Sequence, residues 1–169
     1  MSVDPAEFRR ALSHYPTGVT IVTTLCPRGT KQGITANSFN SVSLDPPLVL
    51  LSLARSLACY EHFRSCRAFA VNLLRVGQEP LSARFASRGA DKWAGVDHEL
   101  GALGVPILRD RLAVFECRPY AQYDGGDHEI LVGQVERFEI TGGNLPLVYF
   151  QGGYRAFADD TAPGGAPPA

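Results

Sequence analysis

The sequence predicts a mainly β protein, an antiparallel barrel carrying short helical insertions. Three observations support this. Roughly seven or eight β-rich segments are bounded by Gly, Pro and Asp turns; the helical stretches between them are short; and strands do not alternate regularly with helices, as a doubly wound parallel sheet requires. A chain of 169 residues fits one domain with a single core. We expect that domain to span 1–157. From Ala158 onward the residues are mostly Ala, Pro, Gly and Asp, the composition of a disordered tail over 158–169.

The elements follow in order. Asp4 is placed to cap a helix whose first residue is Pro5, with Glu7 closing a capping-box-like pattern. Phe8, Ala11, Leu12 and Tyr15 share one face of it, spaced for packing, and Pro16 ends it. A hairpin follows: VTIVTTL, a turn over Cys26–Thr30, then an extended run from Gln32 to Ala36. Asn40–Leu44 alternates polar with apolar, Asp45-Pro46-Pro47 breaks it, and LVLLSL reads as a strand buried on both faces. Ser56 is placed to cap a short helix reaching about Cys66, with Cys59, Phe63 and Cys66 on one side. AFAVNLL is another strand, and a second short helix runs from about Gln78 to Arg88, ending at Gly89. After an irregular Gly-rich stretch come two long strands, Leu112–Tyr123 and Glu129–Ile140, and a last one, Leu145–Gln151.

Composition removes several function classes. With 16 Lys+Arg against 17 Asp+Glu, the net charge is -1, which argues against nucleic-acid binding and a polybasic membrane anchor. No window is long and apolar enough to span a bilayer, and the polar N-terminus MSVDPAEFRR lacks the look of a signal peptide. The expectation is a cytoplasmic protein. Cys26, Cys59, Cys66 and Cys117 form no CxxC pair and read as reduced thiols. GxGxxG after a strand, GxxxxGK[ST], GxSxG and HExxH are all absent, and no metal site is expected.

Three features can carry chemistry. Small hydroxyl and amide residues crowd one region: Thr35, Asn37, Ser38, Asn40, Ser41, Ser43, Ser52 and Ser56. Singly they suit a solvent-facing strand edge; together they offer the neutral donors and acceptors that a polar heteroaromatic ring needs. Arg55-Ser56, where LVLLSL gives way to a helix, reads either as a plain cap beside a surface Arg or as a phosphate seat. Gly125-Gly126-Asp127-His128 sits at the tip between the longest strands, where glycines allow a ligand close to the backbone and Asp127 can orient the imidazole. Gly152-Gly153-Tyr154 repeats that arrangement, or forms a bulge with a partly exposed ring.

At these residues the chain resembles the flavin reductase domain family, the NAD(P)H-oxidising components of two-component flavin monooxygenases. The matching segments are FRRALSHYPTGVTIVTT, GITANSFNSVSLDPPLVLLSL, AFAVNLL, LSARFAS, DKWAGV, GDHEILVGQV and YFQGGYRAF, in the family's order. The resemblance implies an FMN-binding split β-barrel of Greek-key type, a homodimer with FMN or FAD near the subunit boundary, and hydride transfer from NADH or NADPH. By position it puts Pro16, Thr17 and Gly18 beside the ring system, with Thr35, Ala36, Asn37 and Ser38 at its polar edge. It makes Ser52, Arg55 and Ser56 phosphate contacts, and Asn72 a residue that shapes the pocket. Ser82, Arg84 and Phe85 would touch the phosphate or an adenine. Asp127 and His128 would lie by the nicotinamide, bordered by Tyr154 and Arg155. The sequence holds two lysines, Lys31 and Lys92.

In such a protein the cofactor carries the difficult chemistry and the chain supplies position, so His128 reads as an orienting, electrostatic residue. A partner monooxygenase would be reached by diffusing reduced flavin. Two other readings stand beside this one: an FMN-dependent oxidase on the same barrel, acting on a small amine such as a pyridoxamine phosphate, and a non-catalytic flavin or haem carrier.

Overall fold

A computed structural model describes residues 3–89, 91–142 and 145–157. The chain forms α1 (Pro5–Leu12), β1 (Thr17–Gly18), β2 (Thr20–Leu25), β3 (Lys31–Ala36), β4 (Asn40–Leu44), β5 (Pro47–Ala54), α2 (Tyr60–Arg64), β6 (Phe69–Leu73) and α3 (Glu79–Ala86). It continues with β7 (His98–Leu100), β8 (Pro106–Leu108), β9 (Ala113–Gly125), β10 (His128–Ile140), β11 (Val148–Phe150) and β12 (Gly153–Arg155). The tail expected from Ala158 lies outside the described residues.

Seven strands form one antiparallel sheet in the order β3-β2-β6-β9-β10-β5-β4. Its two edges, β3 and β4, are consecutive in the chain and joined by residues 37–39 alone. Seven strands laid flat would hold those edges about 29 Å apart, whereas the four peptide links from Ala36 to Asn40 reach at most about 14 Å. The sheet must therefore roll until its edges approach, yet β3 and β4 do not pair. The result is a barrel left open along one seam. Its interior holds Val22, Ile34, Leu51, Leu53, Phe63, Phe69, Val71 and Leu131. Outside β2 and β6, a second cluster of Ile21, Leu74, Phe85, Trp93, Leu108 and Leu147 seats α3 and the small sheet β1-β11-β12.

Several expectations hold. Asp4 Oδ1 accepts from the amides of Ala6 (2.8 Å) and Glu7 (2.9 Å) and caps α1. The turn between β2 and β3 closes as Gly29 N donates to Cys26 O at 2.8 Å.

Others are corrected. Ser56 caps no helix, because two tight turns intervene, Leu57 N to Ala54 O at 3.1 Å and Tyr60 N to Leu57 O at 3.0 Å, so α2 begins only at Tyr60 with Cys59 at its cap position. β5 is not sealed on both faces: Val49, Leu51 and Leu53 are buried, while Leu48, Leu50 and Ser52 are only half-buried. The stretch before the long strands contains the hairpin β7–β8, whose residues give little apolar alternation to read. The last strand is shorter than expected, and Gly152-Gly153-Tyr154 turns back to pair β12 with β11.

Candidate functional site

A cleft of about 660 Å³ opens between the β3 edge, the turn after β5 and the end of α3. Gly33 makes it possible. A Cβ there would stand 2.3 Å from Cε1 of Phe85, so only glycine lets α3 lie this close to β3. Phe85 packs edge-on against Trp93 with centroids 5.1 Å apart, and together they form the apolar floor. Around it stand cations. Lys92 Nζ donates to Phe85 O at 2.8 Å, and Lys31 Nζ lies 5.3 Å from the Trp93 ring centroid and 2.9 Å from His98 Nε2. His98 Nδ1 faces Val96 O at 2.7 Å; a proton there leaves Nε2 to accept from the lysine. Arg88 and His62 also line the cleft, against one carboxylate, Asp91. The volume suits a cofactor-sized ligand, and the charge suits an anionic one.

Four buried side-chain polar atoms lack a partner among the described residues, Trp93 Nε1, Thr17 Oγ1, Arg111 Nε and Glu129 Oε1, and of these residues Trp93 lines the cleft. Such orphaned groups are costly unless a ligand meets them. At one end of the cleft Thr35 Oγ1 donates to Ser82 O (2.6 Å), and Ser82 Oγ accepts from the Tyr154 hydroxyl (2.9 Å). This ties the cleft to the small sheet, where Tyr154 stands across from Tyr149 and Tyr149 across from Thr17. Beyond Thr35 the chain runs through Ala36 and exposed Asn37 to Ser38, whose Oγ accepts from Ser52 N at 3.0 Å.

The hairpin tip adds the last component. Gly126, with φ of +77°, takes the left-handed position that a two-residue turn demands, and Gly125 pairs with His128 across it. His128 Nδ1 lies 2.6 Å from Asp127 Oδ1, and this hydrogen bond holds the Asp127 carboxyl below its ordinary range. Arg55 N donates to Asp127 O at 3.0 Å, while its neighbour Ser56 lines the cleft. Cleft and hairpin therefore meet at the end of β5.

Residues 12–158 match the family described as the flavin reductase like domain. The chain belongs to that family. It is 46% identical over 151 residues to a probable flavin reductase of Rhizobium meliloti (strain 1021), covering 89% of this chain and 48% of that one. Over 151 residues it is 44% identical to an FMN reductase (NADH) of Agrobacterium fabrum (strain C58 / ATCC 33970), covering 89% and 85%. The NADH:FAD oxidoreductase of Streptomyces globisporus C-1027, solved in complex with NAD and FAD fragments, superposes with a TM-score of 0.88 at 36% identity, covering 95% of this chain and 98% of that one. This chain thus spans about half of the first relative and most of the other two. Its mainly antiparallel open sheet is the split barrel.

In this flavin reductase-like domain the expected site residues divide. Thr35, Ser56 and Phe85 line the cleft, Ser82 and Tyr154 brace its end, and Asp127 and His128 form the hairpin beside it. Pro16 and Arg155 border a separate apolar hollow of about 200 Å³ with Val148 and Phe150. Gly18 is exposed beside Thr17.

Three assignments change. Asn72 is fully buried: its Nδ2 donates to Ile21 O and its Oδ1 accepts from Leu108 N, both at 2.9 Å, so it holds β8 onto the sheet and faces no pocket. Arg84 spends Nη1 on Ala94 O at 2.8 Å and lines a second cavity, away from the main cleft. Arg55 is engaged by Asp124, Gly126 and Tyr60. Conversely, Lys31, Lys92, Trp93 and His62 were not singled out from residue spacing. They lie far apart in the chain, and the one local signal was the DKWAGV segment.

Proposed function

We infer that this chain is an NAD(P)H:flavin oxidoreductase, passing a hydride from a reduced nicotinamide to FMN or FAD. The observation that supports it most is the meeting of a cationic, aromatic-floored cleft with the Asp127–His128 hairpin at Arg55–Ser56. The fit to a flavin is good on three counts: cavity volume, the orphaned Trp93 Nε1, and two lysines for a phosphate. When bound, the flavin supplies a two-electron acceptor.

The chain's own groups do the rest. Lys92, Ser56 and Lys31 would hold the phosphate; Lys92 Nζ already stands at the cleft wall, where it donates to Phe85 O. The stretch Thr35, Ala36, Asn37 and Ser38 offers amides and hydroxyls to the polar edge of the ring, kept in place by the Ser38–Ser52 bond; donors aimed where negative charge develops assist the transfer. Thr17, between Pro16 and Gly18, would meet the same ligand from the small sheet, and Tyr154, with Arg155 beside it, would close the far side. His128, its Nδ1 held by Asp127, leaves Nε2 free to orient the nicotinamide. Near-attack placement is the main source of acceleration.

A partner monooxygenase receives the reduced flavin by diffusion, as befits relatives named as reductase components. We place the enzyme in the cytoplasm, in keeping with four free cysteines; no helix among the described residues is long and apolar enough to cross a membrane. The reading includes a homodimer, because Leu48 and Leu50 remain half-buried while Leu44 (95%) and Ile140 (72%) stand exposed.

The deciding experiment follows absorbance at the reduced-nicotinamide band with FMN or FAD added in turn to purified protein. Flavin-dependent consumption of NADH or NADPH is expected, and none with either flavin overturns the reading.

A further inference from the structure

Arg55 was expected to meet a phosphate, but its surroundings give it other work. The backbone amide donates to Asp127 O at 3.0 Å, and Nε donates to Gly126 O at 3.1 Å. Both carbonyls of the two-residue turn are thus taken by one residue. Nη2 reaches Asp124 Oδ1 at 2.7 Å, on the strand leading into the turn. Nη1 donates to the Tyr60 hydroxyl at 3.0 Å, and that hydroxyl donates to Glu129 Oε2 at 3.0 Å. Glu129 follows His128 directly and its side chain is 10% exposed. Arg64 Nε approaches the same carboxylate oxygen at 3.8 Å, and Gln122 Nε2 donates to Arg64 O at 2.7 Å, so α2 is fastened to both long strands beneath the turn.

The charge balance points the same way. Three carboxylates, Asp124, Asp127 and Glu129, surround the tip against two guanidinium groups. A phosphate dianion placed on Arg55 would have to displace the Asp124 pair and face the other carboxylates, whereas the cleft offers Lys31, Lys92 and Arg88 against one Asp. The tip, in contrast, needs holding: two successive glycines leave it more conformational freedom than other residues would.

We propose that Arg55, backed by Tyr60 and Glu129, is a positioning residue that locks the Gly126–Asp127 turn and thereby fixes the direction of the His128 imidazole. The proposal rests on the flavin reductase reading, in which His128 orients the nicotinamide. Arg55 acts through His128 and touches neither reacting partner.

The test uses Tyr60→Phe, Arg55→Lys and Arg55→Met, each alone and combined with His128→Ala. Flavin affinity comes from fluorescence quenching, kcat and nicotinamide KM from steady-state rates at saturating flavin, and His128 ring and turn-amide signals from NMR of the flavin-free protein. With His128 present, the single variants should lower kcat/KM for the nicotinamide by about 3- to 10-fold and leave flavin affinity within about twofold. They should also shift the His128 resonances and speed amide exchange at the turn. In the His128→Ala background the same substitutions should cost less than about twofold, because the residue they act through is gone.

A tenfold loss of flavin affinity with unchanged turnover at saturation would return Arg55 to the phosphate and overturn the proposal. So would a full loss persisting without His128, or unmoved His128 and turn signals. Should Arg55→Met fail to fold, the milder Tyr60→Phe and Arg55→Lys decide. A wild-type protein that oxidises no nicotinamide defeats the flavin reductase reading, while the NMR signals still judge the clamp.

Discussion

His128 is held by the Asp127 carboxylate. Their hydrogen bond keeps the Asp127 carboxyl below the usual 3.8, so the stability that this carboxylate contributes is present above the ordinary carboxylate range and is lost as pH falls through the lowered value. Between pH 5 and 8 Asp127 stays ionised, and no activity change in that range belongs to it. A carboxyl-carbon NMR titration should show the depressed value in the wild type and a return toward 3.8 in His128→Ala; an unaltered titration would break the pairing. His128→Ala should also slow nicotinamide oxidation about tenfold or more while leaving oxidised-flavin affinity nearly intact. Lys92→Met should do the opposite, weakening flavin binding by about 10- to 100-fold, the worth of a charge-assisted hydrogen bond. Equal affinity in a quenching titration would remove Lys92 from the phosphate.

At the scale of elements, the cleft depends on one close approach. α3 presses Phe85 against β3 at Gly33, and any side chain there must push the helix away. Gly33→Ala should lower stability by about 1–3 kcal/mol and weaken flavin binding together, read as a lower midpoint in thermal unfolding and a larger Kd. Retention of both would mean the α3 contact gives way without cost. The same element shows what local reading achieves and misses. A helix from about Gln78 to Arg88 was legible from its stop at Gly89, and the structure ends α3 at Ala86. Its partner was not, because β3 lies some fifty residues earlier and nothing in a glycine announces the ring that will cover it. For α1, capping by Asp4 was legible, but Phe8, Leu12 and Tyr15 remain exposed on this chain.

Across the whole molecule, burial raises all four thiols, Cys66 to about 11 and Cys117 to about 12. A group whose folded pKa exceeds its unfolded one near 9 supports the fold below that pH and ceases to as pH climbs through the folded value. Thermal midpoints should therefore hold near neutrality and fall between about pH 9 and 12, with Cys117→Ala flattening the decline; an unchanged slope would discount the thiols. The apolar surface left on β4, β5 and β10 belongs to the same scale. Sedimentation should find a dimer, and Phe138→Glu should shift it toward monomer; a wild-type monomer at micromolar concentration would defeat the assignment.

Turns, caps and strand periods were written locally, since each depends on residues a few positions apart: Asp4 before Pro5, the Cys26–Thr30 turn, and glycines at the tip before His128 all announced themselves. Recurring segments in a fixed order likewise announced the family. Partnership was decided by packing between elements. The seating of α3 on β3 brings Lys31 and Lys92 to one cleft, the contact of β6 with β8 turns Asn72 inward, and the pairing of β5 with β10 carries Arg55 from an apparent phosphate seat onto the His128 turn. Hydrogen-bonding capacity is a property of a residue, but which partner satisfies it depends on distances that exist only once remote strands are packed.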